Sequence, residues 1–376
     1  MKKLKKIASV LMLAAAVVFA AGCTKPDEPN NGGNDNNGGD NGGGGDTPEV
    51  PTVPTGAVDG LFTINEQGGK VYFSQGNLQW SATNGGTTAT THAVAGGGTA
   101  PGTWRFGNPW DFVGGTYGIT GYNPEGEPWP GTIAESNNCD ASATYTGWID
   151  LFSWGTSGWA GGVMGYQPYS IVGDPYPNTW AYEWYVLGDD TSNGFEGQYA
   201  NADWGVYNAI SNGGNQPGLW RTLTGDEWEY VINGREGSRW CPATVNGVKG
   251  TILIPDGWDN TAYTLDKINS SSSASSNTID QSTWENTCEP AGLVFVPHTG
   301  RRRCGGMGDH YVVSLDLSEG YGMYWSSSIY VASYNGNGGT QPYHMHFSYR
   351  PSGQPYVSGC QNRSEGYSVR LVQDVR

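Results

Sequence analysis

The stretch that most limits what this chain can fold into lies between Tyr324 and Val372. It opens Tyr324-Trp325-Ser326-Ser327-Ser328, passes through a run of Gly, Asn, Ser and Tyr, and closes Gly366-Tyr367-Ser368-Val369-Arg370-Leu371-Val372. Short runs of aromatic and β-branched residues suit a half-buried pleated surface, so both ends read as core strands. Between them Tyr343, Met345 and Phe347 alternate with His344, His346 and Ser348. A period of two sends the two sets to opposite faces of a strand. The expectation is an apolar inner face and a Tyr/His/Ser face on display.

Composition supports a strand-dominated chain. Gly 60, Trp 16 and Tyr 22 are high, charged residues make up only 14%, and long amphipathic helical patterns are scarce. One helix is expected from Thr224 to Asn233. Thr224 and Glu227 have capping-box spacing, and Asp226 suits the positive end of the helix dipole. Leu223 can staple to Trp228, which with Val231 and Ile232 forms the buried stripe, and Gly234 reads as the stop. Phe62-Thr63-Ile64 and Val71-Tyr72-Phe73 flank Gln67-Gly68-Gly69 as a hairpin, and Val245-Asn246-Gly247-Val248-Lys249 is a tighter one. Leu293 to Val296 reads as a strand leading into Arg301-Arg302-Arg303, expected to be a solvated turn. An irregular insertion covers about 114–219, with Trp148, Trp154, Trp159 and Trp180 as the core aromatics that pin it.

The N-terminus carries export signals. Lys2, Lys3, Lys5 and Lys6 precede an apolar run too short to span a bilayer, so residues 1–22 read as a signal peptide. Ala20-Ala21-Gly22-Cys23 is similar to a bacterial lipobox, which makes Cys23 the expected lipidation site. Residues 23–56 hold Asn, Gly, Asp and Pro with almost no apolar side chain, the composition of a flexible tether. The folded domain is expected over 57–376. The full chain has 19 basic and 35 acidic residues; losing the signal removes four lysines and leaves a net charge of −20. Such a surface repels nucleic acid and anionic lipid, which leaves the N-terminal lipid as the expected membrane contact. Cys139, Cys241, Cys288, Cys304 and Cys360 are odd in number, so at least one stays unpaired, and their spacing leaves the connectivity open.

Trp220-Arg221-Thr222-Leu223-Thr224-Gly225-Asp226-Glu227-Trp228-Glu229-Tyr230 resembles the signature helix of formylglycine-generating-enzyme-like domains (the sulfatase-modifying-factor fold). The order of the remaining pieces agrees: an early hairpin, a Val-Asn-Gly hairpin, Leu-Val-Phe-Val-Pro, Tyr-Trp-Ser-Ser-Ser and the closing Gly-Tyr-Ser-Val-Arg-Leu-Val. The series, about Leu61 to Val372, is similar to a group of Bacteroidetes surface lipoproteins. Thr24-Lys25-Pro26-Asp27-Glu28 resembles the acidic sequences that send such lipoproteins to the outer face of the outer membrane. The resemblance implies an α+β chain with a C-type-lectin-like fold: twisted antiparallel sheets, few helices and long ordered loops. It also implies kinship with the variable proteins of diversity-generating retroelements, whose C-terminal codons are diversified to vary a ligand-binding face.

The expected ligand contacts are Tyr330, Ser333, Tyr334, Asn335, His344, His346, Arg350 and Tyr356. Tyr, Ser and Asn give amphipathic area and adaptable hydrogen bonds at low entropic cost. The expected partner is an extracellular protein or glycan; a fimbrial tip or assembly subunit is the alternative. Enzymatic members of the resembling family use a copper-binding cysteine pair near the C-terminus. Here Cys360 stands alone in that segment and Cys304 is distant in sequence, so no catalysis is expected. His344-x-His346 lacks an identifiable third ligand, so no metal site is assigned and no cofactor is expected. Asp189, Asp190 and Asp203 fit no EF-hand spacing and read as acidic turns, with structural calcium left open by the resemblance.

Overall fold

The protein is described by a computed structural model that covers residues 52–81, 102–111, 119–122, 148–157, 159, 194–237, 239–270, 276–307, 310–316, 320–334, 337–348, 354–359, 363 and 365–376. The signal, Cys23 and most of the tether lie outside the described residues, as do Asp189, Asp190 and Trp180. Everything below concerns the unit Val50–Arg376.

The chain begins with a hairpin of β1 (Ala57–Thr63) and β2 (Lys70–Ser74), in which Phe62 faces Val71 across the ladder. Its turn is closed by the Asn65 side chain, which accepts from the Gly69 amide at 3.0 Å. β3 (Leu78–Ser81), β4 (Thr103–Phe106), β5 (Ile119–Tyr122) and β6 (Trp148–Ile149) follow. A short helix α1 (Trp204–Tyr207) and β7 (Arg221–Thr222) lead into helix α2 (Gly225–Glu229). Next come β8 (Trp240–Val245) and β9 (Val248–Leu253), joined by Asn246 at φ +46° and Gly247 at φ +79°, the left-handed pair that a tight hairpin needs. After β10 (Thr278–Ile279) and α3 (Gln281–Thr283), which continues as a π-helical turn over Trp284–Cys288, the remaining described elements are strands. These strands are β11 (Val294–Pro297), β12 (Arg301–Met307), β13 (His310–Asp316), β14 (Tyr321–Tyr334), β15 (Asn337–Ser348), β16 (Tyr356–Ser358) and β17 (Leu371–Asp374).

Five sheets result among the described residues, in the orders β1-β2-β17-β7, β10-β8-β9-β11, β12-β13-β5, β14-β15-β16 and β4-β3-β6. Within these sheets the strand pairs are antiparallel except that of β10 with β8. The chain is α+β and sheet-dominated, with few helices.

The expected helix forms with its capping box: Thr224 Oγ1 accepts from the Glu227 amide at 3.1 Å, and Glu227 Oε2 accepts from the Thr224 amide at 2.8 Å. Trp228, Val231 and Ile232 are fully buried, and Leu223 shares their core. The end differs from expectation. The last turn widens into a π-helix, Tyr230–Gly234, and the cap falls on Arg235, so Gly234 lies inside the helix.

The tryptophans of the insertion divide. Trp154 is a core residue; Trp148 is half-buried beneath the Arg105 guanidinium, 3.7 Å from its ring centre, and Trp159 packs at the core's edge. The arginine run is a correction. Arg301–Arg303 begin strand β12 rather than a turn, and Arg302 is fully buried, donating to the Leu151 carbonyl at 2.7 Å and to Ser153 Oγ at 3.2 Å. A guanidinium that donates to the insertion's own backbone and hydroxyl serves as an internal tie. Asp203 is likewise no acidic surface turn: it is buried, caps α1 and accepts from the amide and hydroxyl of Thr222.

Candidate functional site

β14 and β15 run antiparallel with Trp325 opposite His344, then lose register until Ile329 meets Pro342. Four steps on β14 match two on β15, so Ser326–Ser328 bulge out of the ladder. The serine triplet bonds elsewhere instead. Ser326 Oγ donates to the Tyr343 carbonyl at 2.8 Å, and the Ser327 amide donates to the Leu223 carbonyl at 2.9 Å. The Ser327 carbonyl accepts from the Phe195 amide at 2.9 Å, and Ser328 Oγ accepts from the Gly225 amide at 3.1 Å. One bulge thereby fastens the start of α2, the hairpin and residues 194–196 to each other.

A cleft of about 410 Å³ opens at this junction. It is lined by the partly buried Ser327, Ser328, Ile329, Phe195 and Tyr343 as walls and by the exposed Glu196 and Asp226 as rim. The walls stand on the core. Phe195 stacks on buried Trp154 with ring centres 4.3 Å apart, and the Trp154 indole donates to the Ser326 carbonyl at 2.8 Å. Trp325 donates from its indole to the Phe152 carbonyl at 2.6 Å and lies 4.2 Å from the Tyr367 ring. Gly194 permits the approach of its segment, since a Cβ there would meet the Ser327 carbonyl oxygen at 2.6 Å. At 410 Å³ the cleft falls in the lower part of the range of about 300–1,000 Å³ typical of ligand pockets.

The residues expected from sequence are distributed as follows. His346 is half-buried, and its Nδ1 sits 2.6 Å from the Oη of exposed Tyr356 on the neighbouring β16. Tyr330, Ser333 and Tyr334 are in β14, with backbones opposite Gln341, Gly338 and Asn337, and their side chains lie outside the description. Asn335 and Arg350 lie outside the described residues.

His344 is a correction. It is only 1% exposed, with its ring centre 5.1 Å from Tyr367 and 6.3 Å from Trp325. The alternation was read rightly, but both faces of this sheet are covered. Tyr324, Met345 and Phe347 enter the core beneath α2, while Met323 and Trp325 enter a second core with Tyr367 and Val369. That second layer buries His344 and thins out by His346. Burial pushes the His344 pKa down to about 3, helped by the neighbouring His346 and Arg301 charges, so the ring is neutral. Tyr343 therefore lies on one side of the sheet and the His346–Tyr356 pair on the other, while the cleft at the bulge also draws Phe195 and Ile329 from the second core.

Sequence reasoning missed Phe195, Glu196 and the Ser326–Ser328 bulge. A glycine, an aromatic and an acid inside a Gly/Tyr-rich insertion give no periodic signal, and a bulge is visible only once two registers are compared. Of the cysteines, Cys241 and Cys288 are free and share a buried core, and burial pushes both thiols up to about 12. Such thiols are poor nucleophiles. The backbone of Cys304 is opposite Val313 in β12, and its side chain, like all of Cys360, lies outside the description. No group of three or more His, Cys, Asp or Glu able to hold a metal occurs among the described residues. Comparison with family models, with curated proteins and with solved structures gave no match.

Proposed function

We propose that this is a cell-surface binding lipoprotein with a C-type-lectin-like domain, in which the β14–β15 hairpin and the cleft at its base recognise an extracellular ligand. The observation that carries this reading is the cleft itself: an open, mostly polar concavity whose Phe195 wall rests on buried Trp154 and whose serine bulge is fixed by backbone hydrogen bonds. Preorganised polar groups on a stiff body lose little entropy when they bind. The resembling family adds support. Its signature helix and its Tyr-Trp-Ser-Ser-Ser strand are the two elements that the serine bulge joins here. Export, lipidation at Cys23, an outer-membrane location, diversification of the C-terminal codons, a protein or glycan partner and the absence of enzymatic activity belong to the same proposal.

The test uses the mature chain against arrays of glycans and peptides. Tyr343→Ser and Glu196→Trp, which strip and fill the cleft, should abolish any specific signal while the unfolding midpoint stays near wild type. Glu236→Gln, beyond the far end of α2, should leave binding unchanged. Specific binding that survives both cleft variants would end the proposal, as would arrays on which nothing binds.

A further inference from the structure

The charged side chains that line the cleft, Glu196 and Asp226, are both acidic. The backbone amides of Phe195, Glu196, Thr224, Ser327 and Ser328 all donate within the protein already, to Ser327 O, Gly194 O, Glu227 Oε2, Leu223 O and Ser326 Oγ respectively. At the start of α2 the Gly225 and Glu227 amides likewise go to Ser328 Oγ and Thr224 Oγ1. An anion would find no free amide from these residues. On the rim, the carboxylates of Glu196 and Asp226 are exposed and make no ion pair and no side-chain hydrogen bond among the described residues. No basic side chain lines the cleft.

An occupant complementary to these two carboxylates is positively charged and rich in donors. A sugar hydroxyl carries no charge to meet the carboxylates; an ammonium offers three donors and a guanidinium five, each with a positive charge. The rings of Phe195 and Tyr343 on the walls suit the apolar stem of such a side chain and, face on, its charge. A strongly acidic surface would steer a basic partner toward the cleft.

We infer that the cleft takes a lysine or arginine side chain of a partner protein, held between the carboxylates of Glu196 and Asp226. This rests on the proposed binding function and narrows its ligand class.

The probes are Nα-acetyl-lysine methylamide and Nα-acetyl-arginine methylamide, titrated calorimetrically into the mature protein. Nα-acetyl-norleucine methylamide and neutral hexoses serve as comparators. The cationic probes should bind, and the norleucine probe about tenfold or more weaker, as loss of a charge pair implies. Glu196→Gln with Asp226→Asn should weaken the cationic probes by about tenfold or more, and added salt should weaken them in the wild type. Equal binding of the norleucine and lysine probes would overturn the inference, as would an unaltered affinity in the double variant. A hexose that binds where the cations do not would overturn it too, while leaving the binding cleft itself standing.

Discussion

Asp203 makes the fold's stability depend on pH in an unusual direction. The carboxylate sits in the interior between α1 and β7, where it accepts from the Gly205 amide at 3.1 Å, the Thr222 amide at 2.7 Å and the Thr222 hydroxyl at 3.1 Å. Burial raises its pKa from 3.8 to about 6, against the opposing pull of those hydrogen bonds and of the Arg221 charge. Between these two values the folded chain holds a proton that the unfolded chain has released. Its stabilisation is therefore complete below about pH 4 and is lost as pH rises through about 6. A gap of roughly two pH units at about 1.4 kcal/mol each gives a loss of about 3 kcal/mol by neutrality, as an order of magnitude.

Asp203→Asn removes the titration and keeps the shape, although its amide now points an N–H at one of the donors, a roughly constant cost of about 1–3 kcal/mol. The informative quantity is the stability of the wild type minus that of Asp203→Asn, measured by urea unfolding from about pH 4 to pH 7.5 with tryptophan fluorescence. Taking the difference cancels groups such as Asp256, whose pKa the Thr63 hydroxyl and the Arg235 guanidinium lower against the opposing effect of burial. The difference should fall by about 3 kcal/mol across that window. A flat or rising difference would refute the assignment of a destabilised buried carboxylate.

Three further outcomes follow from other parts of the structure. Thr224→Ala should cost about 1 kcal/mol in thermal or urea unfolding, the usual penalty for losing an N-cap, with Glu227 left holding only one half of the capping box. Trp325→Phe should cost about 1–3 kcal/mol, near the lower end because the Phe152 carbonyl keeps its bond from the Tyr367 amide at 3.0 Å; urea unfolding of the variant checks it. Cys241 and Cys288 should resist a thiol reagent in the native protein at neutral pH and react once urea unfolds it, followed by mass spectrometry of the labelled chain.

Local chemistry wrote the local elements clearly. Asn246-Gly247 announced its hairpin because so few residue pairs tolerate two left-handed positions, and Thr224/Glu227 announced a helix start through a reciprocal hydrogen bond that needs only a spacing of three. What stayed hidden needed two distant segments at once. Alternation correctly divided Tyr343, Met345 and Phe347 from His344 and His346, yet a period of two says nothing of what lies over each face. Tyr367, far along in sequence, decides that His344 is interior. In the same way, three consecutive arginines read as solvated until Leu151 and Ser153 supply acceptors for Arg302. The cleft was the least legible part, because Phe195, Gly225, Ser328 and Tyr343 belong to separate stretches joined only by a bulge.

β17 lies between β2 and β7, so the middle of the first sheet is supplied by almost the last residues of the chain. Val372 pairs with Phe73 and Arg221, and Arg221 in turn grips Asp374 at 2.7 Å and Glu227 at 2.8 Å. A nascent chain can form the opening hairpin early, but in its sheet that hairpin has no neighbour until β17 arrives, and lone hairpins are barely stable in water. Completion of this sheet thus waits on β17: a variant lacking Leu371–Asp374 leaves β2 and β7 with no strand between them and the opening hairpin with a bare edge.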